Sequence, residues 1–294
     1  MFDNQASTLA PPVRPRPAWR TVPWLRPSVL WKILKYFVKA PFYTLYLRRL
    51  RAKSEDWRKP AHLGVIMDGN RRFARRLGYE RVVQGHQMGA DKLQEVLTWC
   101  LGQEVPVVTV WCFSLENFQR SAEEVEELLG LFEDRAREMA ENDEIHRQRV
   151  RVRFIGRLEL LPESLRQEIR RVEEATADYD KGTLNIAMAY GGREEIADAF
   201  RRHVRHELDQ GKPVEEVLER LDASAIGSWL YTSGQPEPDL ILRTSGEVRL
   251  SGFLLWQSAY SEFYFCDTNW PAFREIDFLR ALRAYDDRQR RFGR

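Results

Sequence analysis

From His62 to Cys266, short apolar and β-branched runs alternate with longer amphipathic stretches. The runs are 62–67, Val105–Phe113, Val150–Ile155, Leu184–Tyr190, Asp239–Leu242 and Glu262–Cys266. Between and after them lie Gly85–Gly102, a long stretch opened by Ser121, Pro162–Thr176, Glu194–Leu208, Val214–Leu221 and Ile276–Arg288. Parallel strands need crossovers of a dozen or so residues, usually helices. The alternation therefore predicts βαβ units, a mainly parallel sheet flanked by helices, and one α/β domain over 59–294. Ser121 and Glu124 read as a capping box for a helix whose apolar stripe is Val125, Leu128, Leu129, Phe132 and Met139.

A parallel sheet also says where a ligand sits, because open α/β sheets bind at the carboxyl ends of their strands. Four strand ends here finish in polar residues: Asp68-Gly69-Asn70-Arg71-Arg72, Ser114 to Arg120, Gly191-Gly192-Arg193, and Arg243 to Ser251. A carboxylate beside several guanidinium groups suits a divalent metal and a diphosphate. Gly69 permits a sharp turn or close backbone approach. Asn70 tolerates turn geometry and donates through its amide. The 243–251 segment has two arginines, several hydroxyls and a glycine, the makings of a diphosphate clamp. Glu262, amid Tyr260, Phe263 and Tyr264, reads either as a second metal ligand or as an acid paired with an arginine. Any one of these ends could be a turn with a salt bridge; four at one sheet edge point to a site.

Other chemistries find no motif. There is no Walker loop, no GxGxxG after a strand and no GxSxG elbow. Asp286-Asp287 is followed by Arg288-Gln289-Arg290 and lacks the third acid of a DDxxD motif. Lys and Arg total 46 against 44 Asp and Glu, so a net charge of +2 does not predict nucleic-acid binding. Cys100, Cys112 and Cys266 are scattered among apolar neighbours, which reads as reduced thiols in a cytoplasmic protein. His203 and His206 stand beside Arg202 and Arg205 on a helix, a solvated surface rather than a metal site.

Residues 1–27 carry six prolines among arginines and tryptophans and predict a disordered tail without signal-peptide organisation. Residues 28–58 read as a basic, aromatic helical segment, interrupted by Pro41. Lys32, Lys35 and Lys39 within it argue against a spanning helix, which needs about 20 predominantly apolar residues. Two readings stand for 29–51: peripheral contact with the inner membrane face, or packing on its own domain with the lysines outward.

Five collinear motifs carry a resemblance. They are Ile66-Met67-Asp68-Gly69-Asn70-Arg71-Arg72; Phe113-Ser114-Leu115-Glu116-Asn117-Phe118 with Arg120; Tyr190-Gly191-Gly192-Arg193; Leu242-Arg243-Thr244-Ser245-Gly246-Glu247; and Phe253-Leu254-Leu255-Trp256-Gln257. Over about 60–294 the chain resembles the cis-prenyltransferases, the undecaprenyl diphosphate synthase family. The resemblance implies a homodimer with an apolar product tunnel. It also implies Mg²⁺-dependent condensation of isopentenyl diphosphate with an allylic diphosphate, geranyl or farnesyl, with release of diphosphate. Asp68 matches the metal-linked aspartate, and Glu262 a second acid for Mg²⁺. Gly69, Asn70, Arg71 and Arg72 match the loop that cradles the allylic diphosphate, with Arg81 and His86 joining it. Asn117, with Ser114, Glu116 and Arg120, matches the region near the reacting ends. Phe73 and Phe118 stand where Trp is common and remain aromatic wall residues. Arg243, Arg249 and Ser251 match the isopentenyl diphosphate clamp. Arg291 and Gly293 match a tail that reaches the partner's site.

No protein nucleophile is required, because arginines and Mg²⁺ stabilise the leaving diphosphate. A bound diphosphate oxygen is the expected base. Val248 replaces a His common in relatives, and one extra residue separates Arg81 from Gly85-His86. The 230–239 and 251–262 segments look closer to the short-chain Z-farnesyl diphosphate synthase branch, so a short product is expected, with a long-chain polyprenyl product as the alternative. Two other classes compete. An Asp-loop phosphohydrolase usually wants an acid where Asn70 stands. A non-catalytic partner subunit tends to lose the residues that Asp68, Arg72, Arg243, Arg249 and Glu262 retain.

Overall fold

Strands paired on both sides and covered on both faces read as continuous apolar runs, and every residue of His62–Ile66 is buried. The computed structural model describes residues 42–288. The chain divides into two compact units, residues 1–52 and 53–294. The expected tail 1–27, residues 28–41 of the basic segment, and Arg291 and Gly293 lie outside the described residues. Residues 42–54 are helical (α1), with Phe42, Leu45 and Tyr46 exposed.

The second unit holds six strands: β1 His62–Ile66, β2 Val107–Trp111, β3 Val150–Ile155, β4 Gly182–Ala187, β5 Leu240–Arg243 and β6 Glu262–Phe265. All pair in parallel, in the order β3-β4-β2-β1-β5-β6. The helices are α2 Asn70–Leu77, α3 Val83–Gly102, α4 Ala122–Ala140, α5 Asp143–Arg147, α6 Glu163–Ala175, α7 Gly192–Asp209, α8 Val214–Glu219, α9 Ala223–Gly227 and α10 Glu275–Asp286. The expected parallel α/β domain is thus present. The run Val105–Phe113 gives only five residues of strand, because Val105-Pro106 precedes the pairing and Cys112-Phe113 leaves it toward the site. The short α5 and α9 carried no apolar period long enough to be read.

The sheet's two faces differ. Side chains alternate along a strand, and Val108, Leu184 and Ile186 line an apolar cavity. On the other face runs a buried polar thread. His62 Nε2 lies 2.7 Å from Thr109 Oγ1 and its Nδ1 2.7 Å from the Pro236 carbonyl, while Asn185 Nδ2 donates to Thr109 at 2.9 Å. Burial pushes the His62 pKa down to about 4, against a raising effect from the Pro236 hydrogen bond.

Candidate active site

The chain turns sharply where β1 ends. Gly69 has φ 108°, in the left-handed region that favours glycine. A Cβ there would lie 2.6 Å from Asn269 Oδ1. This turn leaves Asp68 half-buried at the mouth of a cleft and starts α2 at once, so Asn70, Arg71 and Arg72 fall on its first turn. Thr244 Oγ1 donates to the Asp68 carbonyl at 2.7 Å, and Trp270 N–H donates to it at 3.0 Å. Asp68 is therefore pinned from β5 and from the segment before α10.

Two arginines hold its carboxylate. Arg243 Nη2 donates to Oδ2 at 2.8 Å, and Arg72 Nη2 lies 3.3 Å from Oδ1. Burial pushes the Asp68 carboxyl up, but the bond and charge of Arg243, with Ser245 and Arg72, more than offset it and hold it below the usual carboxylate range. Arg243 is itself buried, with only 5% of its side chain accessible. It also donates to Ser251 Oγ at 2.8 Å and to the Arg249 carbonyl. Ser245 and Ser251 both have positive φ, 79° and 53°. Strain in non-glycine residues marks a loop whose shape the surroundings enforce; here Arg243, Arg72 and Glu247 enforce it.

A second wall comes from the segment after β2. Ser114 caps a short 3-10 turn over Leu115–Gln119, with its N–H donating to Asn117 Oδ1 at 3.0 Å. The turn delivers Asn117 and Arg120 to the cleft. Glu124 holds Arg120 at 2.8 Å and lies 3.4 Å from Arg71 Nε. Its carboxylate thus organises two cleft arginines instead of closing the expected capping box, though Ser121 does cap α4. Sequence reasoning gave Glu124 only a capping role; the only signal for more was its nearness to an arginine-bearing motif.

The cleft has a volume of about 530 Å³. Ile66 to Arg72, His86, Ser114, Asn117, Arg120, Arg243 and Arg249 line it. Arg243 Nε, Trp111 Nε1, His86 Nε2 and Asn70 Oδ1 are buried without a hydrogen-bond partner. Buried polar atoms are normally paired, so unpaired polar atoms on one cleft fit a polar ligand, and the arginines beside them favour an anionic one. Burial, then the charges of Arg120 and Arg71, pushes His86 down to about 4.

Met67, Asn70, His86, Trp111 and Cys112 also line a second, apolar cavity of about 180 Å³. It runs between α3, α4 and the sheet to Val105, Pro106, Val150 and Gly182 at the amino edge. A charged cleft therefore opens directly into an apolar tunnel.

Several expected residues stand elsewhere. Arg81 is exposed and paired with Glu127 of α4, because it precedes α3 on the outer side of the turn; it does not line the cleft. Phe73, Glu116 and Phe118 line neither cavity, and Phe118 packs edge-on against Phe113. Ser251 acts through Arg243. The Gly191-Gly192-Arg193 end is not a cleft loop: Gly192 N–H donates to the Gly252 carbonyl at 2.9 Å, and a Cβ at Gly192 would lie 2.5 Å from that oxygen. It buttresses the 243–252 segment.

Glu262 stands apart from the cleft within this chain. It begins β6 and pairs with Leu240, whereas Arg243 pairs with Phe265. Three residues of strand, about 10 Å, separate its level from the cleft edge, and Arg288 holds it at 2.7 Å. Within one chain it lines neither cavity. Among the described residues no three His, Cys, Asp or Glu side chains form a metal cluster. An ionised Asp68 amid diphosphate donors still fits Mg²⁺, which keeps few protein carboxylates and shares the substrate's phosphate oxygens.

Comparison with known proteins agrees. Residues 66–293 match the family described as "Putative undecaprenyl diphosphate synthase". The isoprenyl transferase of Thermus thermophilus is 53% identical over 254 residues, 86% of this chain and 96% of that one. A tritrans,polycis-undecaprenyl-diphosphate synthase (geranylgeranyl-diphosphate specific) from Methanopyrus kandleri is 50% identical, over 86% of this chain and 92% of its own. The lavandulyl diphosphate synthase of Lavandula x intermedia, solved with dimethylallyl diphosphate, superposes with a TM-score of 0.74 at 34% identity, covering 80% of this chain and 98% of that one. The chain thus belongs to the undecaprenyl diphosphate synthase family of prenyltransferases, whose work is cis-prenyl chain elongation.

Proposed function

We propose that this chain joins isopentenyl diphosphate to an allylic diphosphate with Mg²⁺ and extends it to a long polyprenyl product. The carrying observation is the charged cleft opening into an apolar tunnel that reaches the opposite sheet edge. Asn70 and Arg71 at the start of α2, with Arg72, hold the allylic diphosphate. Arg243, Arg249 and the strained 245–251 turn hold isopentenyl diphosphate. Asp68 would hold Mg²⁺, which would supply positive charge to the leaving diphosphate. Arg243 touches Asp68 and the isopentenyl clamp at once, so it fixes the two substrates' relative positions. Asn117 and Arg120 flank the space between them.

The tunnel's depth and relatives named as undecaprenyl synthases support the long product. A short product such as Z,E-farnesyl diphosphate is the second reading, favoured by a tunnel volume of only 180 Å³. A homodimer fits the half-exposed edge strand β6, which carries Phe263, Tyr264 and Phe265. Glu262 lies on that strand, so we assign any role at the ion to reach across from a second copy. Exposed Phe42, Leu45 and Tyr46 support membrane-surface contact by α1, and no helix among the described residues is long and apolar enough to cross a membrane.

The experiment is incubation with Mg²⁺, isopentenyl diphosphate and, separately, geranyl, farnesyl and geranylgeranyl diphosphate, followed by measurement of product length. A ladder beyond about ten units is expected on the long-chain reading. Three-unit product alone would decide for the short one, and no product from any primer would sink both.

A further inference from the structure

Two walls of the cleft meet at a carboxylate that does not itself face the ligand. Glu124 sits in the first turn of α4, where Ser121 Oγ accepts from its backbone N–H at 3.4 Å. Its side chain lies 2.8 Å from Arg120 Nη1 and 3.4 Å from Arg71 Nε, and is only 17% accessible. Arg71 belongs to α2 and Arg120 follows the 3-10 turn, so the contact ties the β1 side of the cleft to the β2 side. Both arginines line the cleft, whereas Glu124 lines neither cavity and stands behind them. Among the described residues no other acid pairs with either arginine.

Which nitrogens it engages decides what remains for a ligand. A guanidinium carries its N–H donors in a planar fork. Glu124 approaches the inner Nε of Arg71 and a single Nη of Arg120, which leaves the Nη groups of Arg71 and Nη2 of Arg120 for phosphate oxygens. Two guanidinium groups in one cleft also repel. Burial, with the charge of Arg71, pulls the Arg120 pKa down against the opposing pull of Glu124. The carboxylate thus offsets a repulsion that would drive the two arginines apart. Glu127, one turn further along α4, makes the contrast: it pairs with exposed Arg81, outside the cleft.

Resting on the reading above that Arg71 holds the allylic diphosphate, we propose that Glu124 is a positioning residue for prenyl transfer, which aims Arg71 and Arg120 at the leaving diphosphate and cancels one of their two charges. The donors are then in place before charge builds on the diphosphate, and no reorganisation is needed as its bond to carbon breaks. Aim acts on turnover, because a small misplacement of groups at the reacting centre costs rate. Charge cancellation acts on affinity in the opposite sense. Without the carboxylate the cleft gains one net positive charge, so free diphosphate binds no more weakly.

The test compares Glu124→Gln with Glu127→Gln in the full chain, since each removes one acid from α4. Turnover is read as diphosphate release with Mg²⁺, farnesyl diphosphate and isopentenyl diphosphate, and the binding of inorganic diphosphate alone is read by calorimetry. Glu124→Gln is expected to lower kcat by at least about tenfold, while inorganic diphosphate binds as tightly as to the unmodified chain or more tightly. Glu127→Gln is expected to leave both unchanged. An unchanged kcat in Glu124→Gln, an equal fall in Glu127→Gln, or diphosphate binding that weakens in step with kcat overturns the proposal. Should Glu124→Gln fail to fold, Glu124→Asp keeps the charge and shortens the side chain by one methylene. A fall in its kcat with diphosphate binding intact supports the positioning role, and an unchanged kcat overturns it. No product from the unmodified chain with any allylic primer overturns the reading beneath instead, and is visible in that arm alone.

Discussion

The cleft holds its side chains by ion pairs and the tunnel holds them by packing. Asp68, Arg72, Arg243, Arg120 and Glu124 are fixed by partners of opposite charge. Leu93, Leu184, Ile186 and Ala136 are fixed by burial in the tunnel wall. Preorganised charge acts on the rate at which diphosphate leaves, whereas an apolar wall acts on how much hydrocarbon fits. Damage to the first should slow every addition. Damage to the second should change when addition stops.

Asp68→Ala gives the largest effect expected. It removes the acid proposed to hold Mg²⁺ and leaves buried Arg243 facing no carboxylate, and the fall in kcat/KM should be about a thousandfold. Diphosphate release within tenfold of the unmodified chain would break the division of labour.

Acid probes a third place, the polar thread on the sheet face away from the tunnel. The folded His62 pKa of about 4 lies below the ordinary value of 6.5, so the unfolded chain takes up the proton first. Stability from this group is full above about pH 6.5 and falls as the pH drops toward 4, by about 3 kcal/mol. Denaturant midpoints across that range check the slope. His62→Gln should remove the share due to His62, leaving that of His86, with product length unchanged; a change in length would tie the two faces together.

Ala90→Phe tests the wall. Ala90 lines the tunnel but not the cleft. Overpacking there should cost about 1–3 kcal/mol, read from the melting temperature, and should shorten the product while sparing the first addition. Gly69→Ala should have the smallest effect. Its φ of 108° and the contact with Asn269 strain any side chain, by about 1–2 kcal/mol. The strain should raise KM for the allylic diphosphate without altering length. Shortened product from Gly69→Ala would mean that the turn also shapes the tunnel mouth.

The same contrast governs what could be read in advance. The β1 motif and Arg243–Ser251 announced themselves because their charges sit next to each other in sequence. Glu124 lay hidden among the acids of α4; only the fold shows it turned toward Arg120 and Arg71. Gly191-Gly192-Arg193 resembled a phosphate loop, yet contact with Gly252 makes it a buttress. The tunnel has no motif, since its wall gathers alternate residues of β2 and β4 with single faces of α3 and α4.

Sequence alone determined the parallel sheet and its charged carboxyl edge. The first follows from the alternation of strand-length and helix-length runs, and the second from polar residues placed where apolar runs stop. Tertiary structure decided which strand ends share the cleft, that Glu262 stands one strand length away from it, and that the tunnel reaches the sheet's amino edge. The physical reason is register. A sequence shows that a strand exists, but only pairing with its neighbours fixes how far along the sheet each side chain lies.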